Sequence, residues 1–209
     1  APSDSGRIYL RRGSDVNGQV SYLDTDGVLK PLLAENGVDR FTWAPGAFHT
    51  LALMAWHEPS RSLISAAGNG LGVACGGGPS PSVVFRKVTL SADGTRVVGP
   101  VTCSQFEVSL SGELPMGISF MPDGDLLVQV DTNAAGAEPR LVRLDPWTLQ
   151  ASAFAAPDFP GAAAMRGGTW SSVLGAAVVL DTFADRLVIV AEGQVGDGLG
   201  LGTSRAVAP

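Results

Sequence analysis

Met116-Gly117-Ile118-Ser119-Phe120-Met121-Pro122-Asp123-Gly124-Asp125-Leu126-Leu127-Val128-Gln129-Val130-Asp131 is followed, after Thr132 and a polar loop, by Arg140-Leu141-Val142-Arg143-Leu144-Asp145-Pro146-Trp147-Thr148-Leu149. Three strands are legible here: Ile118 to Met121, Leu126 to Val130 and Leu141 to Leu144. Between the first two lies Pro122-Asp123-Gly124-Asp125. Proline presets the backbone angle of a tight turn and glycine accepts a positive one, so this tetrapeptide predicts a turn. The flanking runs are aliphatic and β-branched and too short for helices. The stretch predicts an antiparallel β-meander.

The same grammar recurs on both sides. Val20-Ser21-Tyr22-Leu23-Asp24 aligns with Leu141-Val142-Arg143-Leu144-Asp145, and Asp24-Thr25-Asp26-Gly27 is a hairpin turn. Leu51 to Trp56, Ser62 to Ala66, Val83 to Leu90 and Thr95 to Val101 read as further strands, with turns at Glu58 to Arg61 and Ser91 to Gly94. Leu63, Leu126 and Leu187 recur at intervals of 63 and 61 residues, and Leu23, Val88 and Leu144 at 65 and 56. A repeat near 60 residues, each unit a four-stranded meander, is the mark of a radial β-array, because one meander cannot bury both its faces alone. The expected fold is all-β, a single domain over 1–209 with three to four antiparallel meanders, repeats running approximately 7–50, 51–112, 113–168 and 169–209. The chain begins and ends inside a repeat. Either its ends complete a shared sheet in a compact ring, or the stack is open and a partner covers its edges.

Composition narrows the class. Among the 209 residues, 45% are hydrophobic and 16% charged, enough for a substantial core, and 27 Gly with 14 Pro suit many turns. The net charge of −6 argues against a nucleic-acid partner. The longest apolar run, Val173 to Leu180, is eight residues, against the roughly 20 that a transmembrane helix needs. The opening Ala-Pro-Ser-Asp-Ser-Gly fits a mature chain after signal removal, and the expected location is extracytoplasmic, periplasmic or secreted. Cys75 and Cys103 are not spaced as a redox or zinc pair. In an exported chain they are expected to form a disulfide; the alternative is two buried thiols.

The phrase from Ile118 to Val128, followed by Leu141 to Pro146, resembles a blade of a bacterial β-propeller of the lactonase-like or NHL-like kind. The resemblance covers one repeat well and two loosely. It implies a fold rather than an activity.

Candidate sites are few. His49 and His57 flank one strand and are expected at opposite ends of it, not in a shared metal site. No Gly-x-Ser-x-Gly elbow, P-loop or dinucleotide fingerprint occurs. Paired turn acids, such as Asp24 with Asp26, Asp123 with Asp125, and Asp181 with Asp185, could bind calcium. They are more simply turn residues. Asn69, Asp131 with Asn133, and Glu192 with Gln194 follow what reads as the second strand of successive repeats, and Asn17 is a candidate first member. If the repeats superpose, these side chains gather at one rim and could hold calcium or another divalent cation, as the lactonase-like resemblance implies. The tryptophans, Trp43, Trp56, Trp147 and Trp170, are expected in the core.

With no convergent catalytic set, the leading expectation is a non-catalytic extracytoplasmic interaction or structural module. It would need no cofactor, and would be an accessory subunit with a protein partner or one that self-associates. The alternatives are a divalent-metal-dependent lactonase-like hydrolase and a carbohydrate-binding module.

Overall fold

The computed structural model describes residues 6–11, 18–43, 52–68, 82–107, 113–132, 140–154, 165–181, 186–190 and 205–207. Fifteen strands are found there: β1 (Ile8–Arg11), β2 (Val20–Leu23), β3 (Leu29–Pro31), β4 (Ala52–His57), β5 (Ser62–Gly68), β6 (Ser82–Leu90), β7 (Val97–Glu107), β8 (Glu113–Phe120), β9 (Leu126–Thr132), β10 (Arg140–Leu144), β11 (Ala151–Ala153), β12 (Met165–Ser171), β13 (Ala176–Asp181), β14 (Arg186–Val190) and β15 (Arg205–Val207). One 3-10 turn, Glu58–Ser60, interrupts them. The strands form four antiparallel meanders: sheet I (β1-β2-β3), sheet II (β4 to β7), sheet III (β8 to β11) and sheet IV (β12 to β15). The all-β array expected from the sequence is the observed architecture.

The sheets stack face to face because strand alternation gives the middle strands two apolar faces. On β5, Leu63 joins Tyr9, Val20, Tyr22 and Val88 between sheets I and II. Its neighbours Ile64 and Ala66 join Phe85, Leu126, Val128 and Leu144 between sheets II and III. On β9, Leu127 turns the other way, toward Leu141, Phe154, Ala177, Val179 and Val190 between sheets III and IV. Three apolar layers therefore alternate with four sheets.

The inner strands β8 and β12 come together at two glycines. A Cβ on Gly117 would lie 2.4 Å from the Gly168 carbonyl oxygen and 2.6 Å from its nitrogen. Both strands carry a register irregularity beside these glycines. Glycine is needed here for close backbone approach, not for an unusual φ.

The last repeat differs from its sequence reading. The fourth sheet opens at Met165, ahead of residue 169, and a turn at 172–175 separates β12 from β13. Leu187 lies on the third strand of its sheet, whereas Leu63 and Leu126 lie on the second of theirs. The glycine pair in β12 hides that strand from a periodicity argument. The strand count of the last repeat therefore slips by one.

Cys103 stands exposed on β7, and no free cysteine is found among the described residues. Cys75 lies outside them, and so does His49.

Candidate functional site

The inner strands run in one direction. His57, ending β4, stacks on Phe120, ending β8, with ring centroids 5.8 Å apart. Near the end of β12, the Trp170 amide donates to Ser119 Oγ on β8 at 2.8 Å. All three strands thus reach tight turns at one end of the stack, the turn end. The second strands β5 and β9 return to the opposite end, where Gly68 and Thr132 close them. Asn69 follows Gly68 directly, and Asp131 on β9 pairs in register with Leu114 on β8. Gly68 and Thr132, the last residues of these strands, therefore lie at one end.

β14, which precedes Glu192 and Gln194 in the sequence, ends elsewhere. β14 is antiparallel to β13, with Asp181 facing Arg186 and Ala177 facing Val190. The chain leaves β14 at the end where β13 begins, which is the turn end. Asn17, Asn69, Asn133, Glu192 and Gln194 themselves lie outside the described residues, and of Asp131 only the backbone is described.

At the turn end the acidic side chains are engaged in the fold. Asp24 receives Arg7 Nε at 3.0 Å and Lys30 Nζ at 2.7 Å, and Lys30 also reaches Asp26 at 3.0 Å. Arg143 binds Asp125 at 2.6 Å and also contacts Asp123. Asp93 accepts from Ser91 Oγ at 2.5 Å and Thr95 Oγ1 at 2.8 Å, which hold its pKa down to about 2. Asp145 accepts from Thr148 Oγ1 and the Trp147 amide, each at 2.7 Å, and its pKa is lowered first by the threonine bond. These acids close turns and pin neighbouring strands, as turn carboxylates commonly do. Among the described residues, no group of three or more His, Cys, Asp or Glu side chains gathers as a metal set.

His57 is an enclosed titratable group at the turn end. It is buried between sheets II and III, stacked on Phe120 and edge-on to Trp147 with centroids 5.0 Å apart. Its Nδ1 lies 2.6 Å from Ser60 Oγ. Burial, then the charge of Lys87, lowers its pKa, so the imidazole is neutral near pH 7. Lys87 Nζ donates to the Pro146 and Trp147 carbonyls at 2.9 and 3.1 Å. A His–Ser pair of this kind could move a proton. Here the aromatic rings close it from substrate, and it joins two sheets. The sequence puts His57 at one end of its strand but does not point to the Ser60 partner. Its signal is the three-residue offset across the Glu58-Pro59 turn.

A groove of about 430 Å³ opens on the outer side of sheet I, lined by Leu10, Arg11, Ser21, Leu29, Lys30, Pro31 and Arg40. Of the tryptophans, Trp43 is buried, Trp56 stacks on Tyr9 at 5.3 Å, Trp170 is part-buried, and only Trp147 is exposed. One exposed indole makes no lectin-like platform.

No family model matches the chain, and no curated protein does. Solved structures do. A candidate 6-phosphogluconolactonase from Bacteroides uniformis superposes on 99% of this chain and 54% of its own, at 16% identity and a TM-score of 0.55. The fold is that of a β-propeller. Virginiamycin B lyase from Staphylococcus aureus matches 100% of this chain and 69% of its own, at 13% identity and a TM-score of 0.48. The periplasmic gluconolactonase of Pseudomonas aeruginosa matches 88% and 48%, at 15% and 0.49. The chain thus spans about half the length of the candidate 6-phosphogluconolactonase, 54%. This corrects the leading functional expectation. A non-catalytic module was inferred from the lack of a local catalytic motif, yet the array shares its fold with a candidate 6-phosphogluconolactonase. In such an array, functional residues arrive from separate sheets and leave no contiguous motif.

Proposed function

We propose that the chain is a propeller module of a hydrolase acting on a small cyclic ester, with its site at the end opposite the tight turns. The observation that carries the reading is the common destination of β5 and β9, whose last residues, Gly68 and Thr132, lie at the same end of adjacent sheets. At the other end, the described carboxylates listed above are already committed to arginine, lysine and turn partners. Rigid scaffolds place binding groups on such connections.

Asn69, Asp131 and Asn133 offer one carboxylate and two amide oxygens. A hard-oxygen donor set suits calcium or a similar divalent cation, with water and substrate completing the shell. Bound there, the cation would polarise a lactone carbonyl. Asp131 would supply the fixed negative charge, and the two amides would orient the ester oxygens. Glu192 and Gln194 are left out of this set, because β14 delivers the chain to the turn end. An extracytoplasmic location belongs to the same proposal and rests on the two cysteines. Among the described residues, no helix is long and apolar enough to cross a membrane.

The test combines elemental analysis of the purified protein with pH-stat titration of gluconolactone and 6-phosphogluconolactone. The expected results are a stoichiometric divalent ion lost in Asp131→Asn, and proton release above the spontaneous rate. A metal-free protein with no turnover of either lactone would overturn the reading.

A further inference from the structure

The turn at 145–150, between β10 and β11 of sheet III, is docked on sheet II. Lys87 on β6 donates to the Pro146 and Trp147 carbonyls, and Ser104 Oγ on β7 donates to the Leu149 carbonyl at 2.6 Å. Lys87 Nζ also stands 5.6 Å from the centre of the Trp147 ring, and His57 at the end of β4 meets that ring edge-on. Leu149 packs in the layer between sheets II and III. Its φ is +61°, in the left-handed region that a bulky side chain rarely adopts. The turn is thus a strap that three strands of sheet II touch, and it carries a strained residue.

The strap is the weakest-paired element against His57. β11, which follows it, is the edge strand of sheet III and pairs with β10 over three residues, whereas β4 pairs with β5 over six and β8 with β9 over seven. Local opening starts in segments with few paired backbone groups. The charges around the imidazole come from the same elements. Lys87 on β6 opposes a proton there, and Asp145 in the strap favours one. Asp145 already accepts from Thr148 Oγ1 and the Trp147 amide. Glu58, next along the chain, takes the Trp56 indole N–H, and β8 presents the Phe120 ring. While the strap is down, burial is the largest effect against the charged ring. Lifting the strap gives the ring to water. A group that protonates more easily in the open form draws the equilibrium toward that form as pH falls. The ordinary histidine pKa sets the onset at about pH 6.5.

We propose that His57 and the strap at 145–150 form a proton-operated latch: mild acid releases the strap from sheet II and uncovers Leu149, while β5 and β9 stay paired. The latch rests on the fold and stands apart from the proposed hydrolysis. Asp145 does not supply the proton step, because its own pKa is lowered and it stays charged in mild acid.

Amide hydrogen exchange on the whole chain tests it, at about pH 8 and about pH 5, the range over which an ordinary histidine changes charge. Rates are corrected for the intrinsic pH dependence of exchange. The Leu149 amide, bonded to the Asp145 carbonyl at 2.8 Å, should lose protection at the lower pH, while the amides of β5 and β9 keep theirs. In His57→Gln, neutral at both pH values, the protection of the strap should not change with pH. Lys87→Met should loosen the strap at both pH values and shrink the difference between them, because the charge opposing the proton is gone. Equal protection of the wild-type strap at the two pH values would overturn the latch. An equal loss in β5 and β9 would do the same, since that pattern belongs to unfolding of the whole chain. So would a pH-dependent loss that persists in His57→Gln. If His57→Gln loses the wild-type circular dichroism, Lys87→Met decides instead, and an undiminished pH difference in that variant counts against the latch.

Discussion

Gln129 is the residue whose replacement tests the packing most directly. It sits in the middle of β9, 2% exposed, on the face turned toward sheet IV. Neither its Oε1 nor its Nε2 has a hydrogen-bond partner. A Cβ on Gly168 would stand 2.5 Å from Oε1, so the amide is pressed against the backbone of β12. Burying an unsatisfied polar group costs about 1–3 kcal/mol. Methionine keeps the length and flexibility of glutamine without its polar atoms. Gln129→Met should therefore stabilise the fold by about 1–3 kcal/mol. At roughly 2–4 °C per kcal/mol for a chain of this size, thermal melts should rise by about 2–12 °C. A double-mutant cycle adds a check on the geometry. Gly168→Ala should destabilise the parent and cost less in a Gln129→Ala background, where the obstructing amide is gone. A clear loss of stability in Gln129→Met would refute the reasoning. It would mean that the amide is satisfied, for example by a buried water. Strict additivity in the cycle would refute the Gly168 contact.

Three further outcomes are expected. Gly117→Ala should destabilise by about 3 kcal/mol, the upper end of the usual overpacking range, because its Cβ meets Gly168 backbone that cannot rotate away; urea denaturation measures it, and a neutral result would place the inner strands farther apart. His57 titrates below its usual pKa in the folded chain, so the unfolded chain binds more protons below about pH 6.5. Stability should fall as pH drops through that point, well before the turn carboxylates of Asp24, Asp26, Asp93 and Asp145 begin to protonate, since their pKa values are lowered. His57→Phe should flatten that part of the profile, and an unchanged slope would assign it elsewhere. Cys75 and Cys103 should appear as one disulfide in non-reducing peptide mapping, closing a loop of about 28 residues worth roughly 3 kcal/mol by chain entropy; two alkylatable thiols in the unreduced protein would end that reading.

The parts of the fold that could be read in advance are those where one local signal was enough. Pro122-Asp123-Gly124-Asp125 fixes a turn by itself, and β9 and β10 begin at Leu126 and Arg140, within a residue of their reading. β12 could not be read that way. Its Gly167-Gly168 has no side chains to alternate, and its role, close approach to Gly117, exists only between sheets. The buried state of Gln129 was hidden for a related reason. A polar residue within Leu-Leu-Val-Gln-Val reads as a solvent-facing position when one face of a sheet is taken as wet. Both faces of β9 are covered here.

The candidate site shows where a spacing argument stops. Leu63, Leu126 and Leu187 are almost evenly spaced, but an interval counts residues and does not count strands. In a meander each strand reverses direction, so an error of one strand moves the following loop to the opposite end of the sheet. That error puts the end of β14 at the turn end, whereas β5 and β9 finish opposite it, without changing the repeat length. The proposed set of Asn69, Asp131 and Asn133 is smaller and chemically simpler, one acid with two amides. Five donors carrying two carboxylates would have needed a cation to offset their mutual repulsion. Three donors with a single charge can also be satisfied by a polar ligand alone. The metal measurement on Asp131→Asn thus separates a lactonase-type centre from a simple polar binding rim.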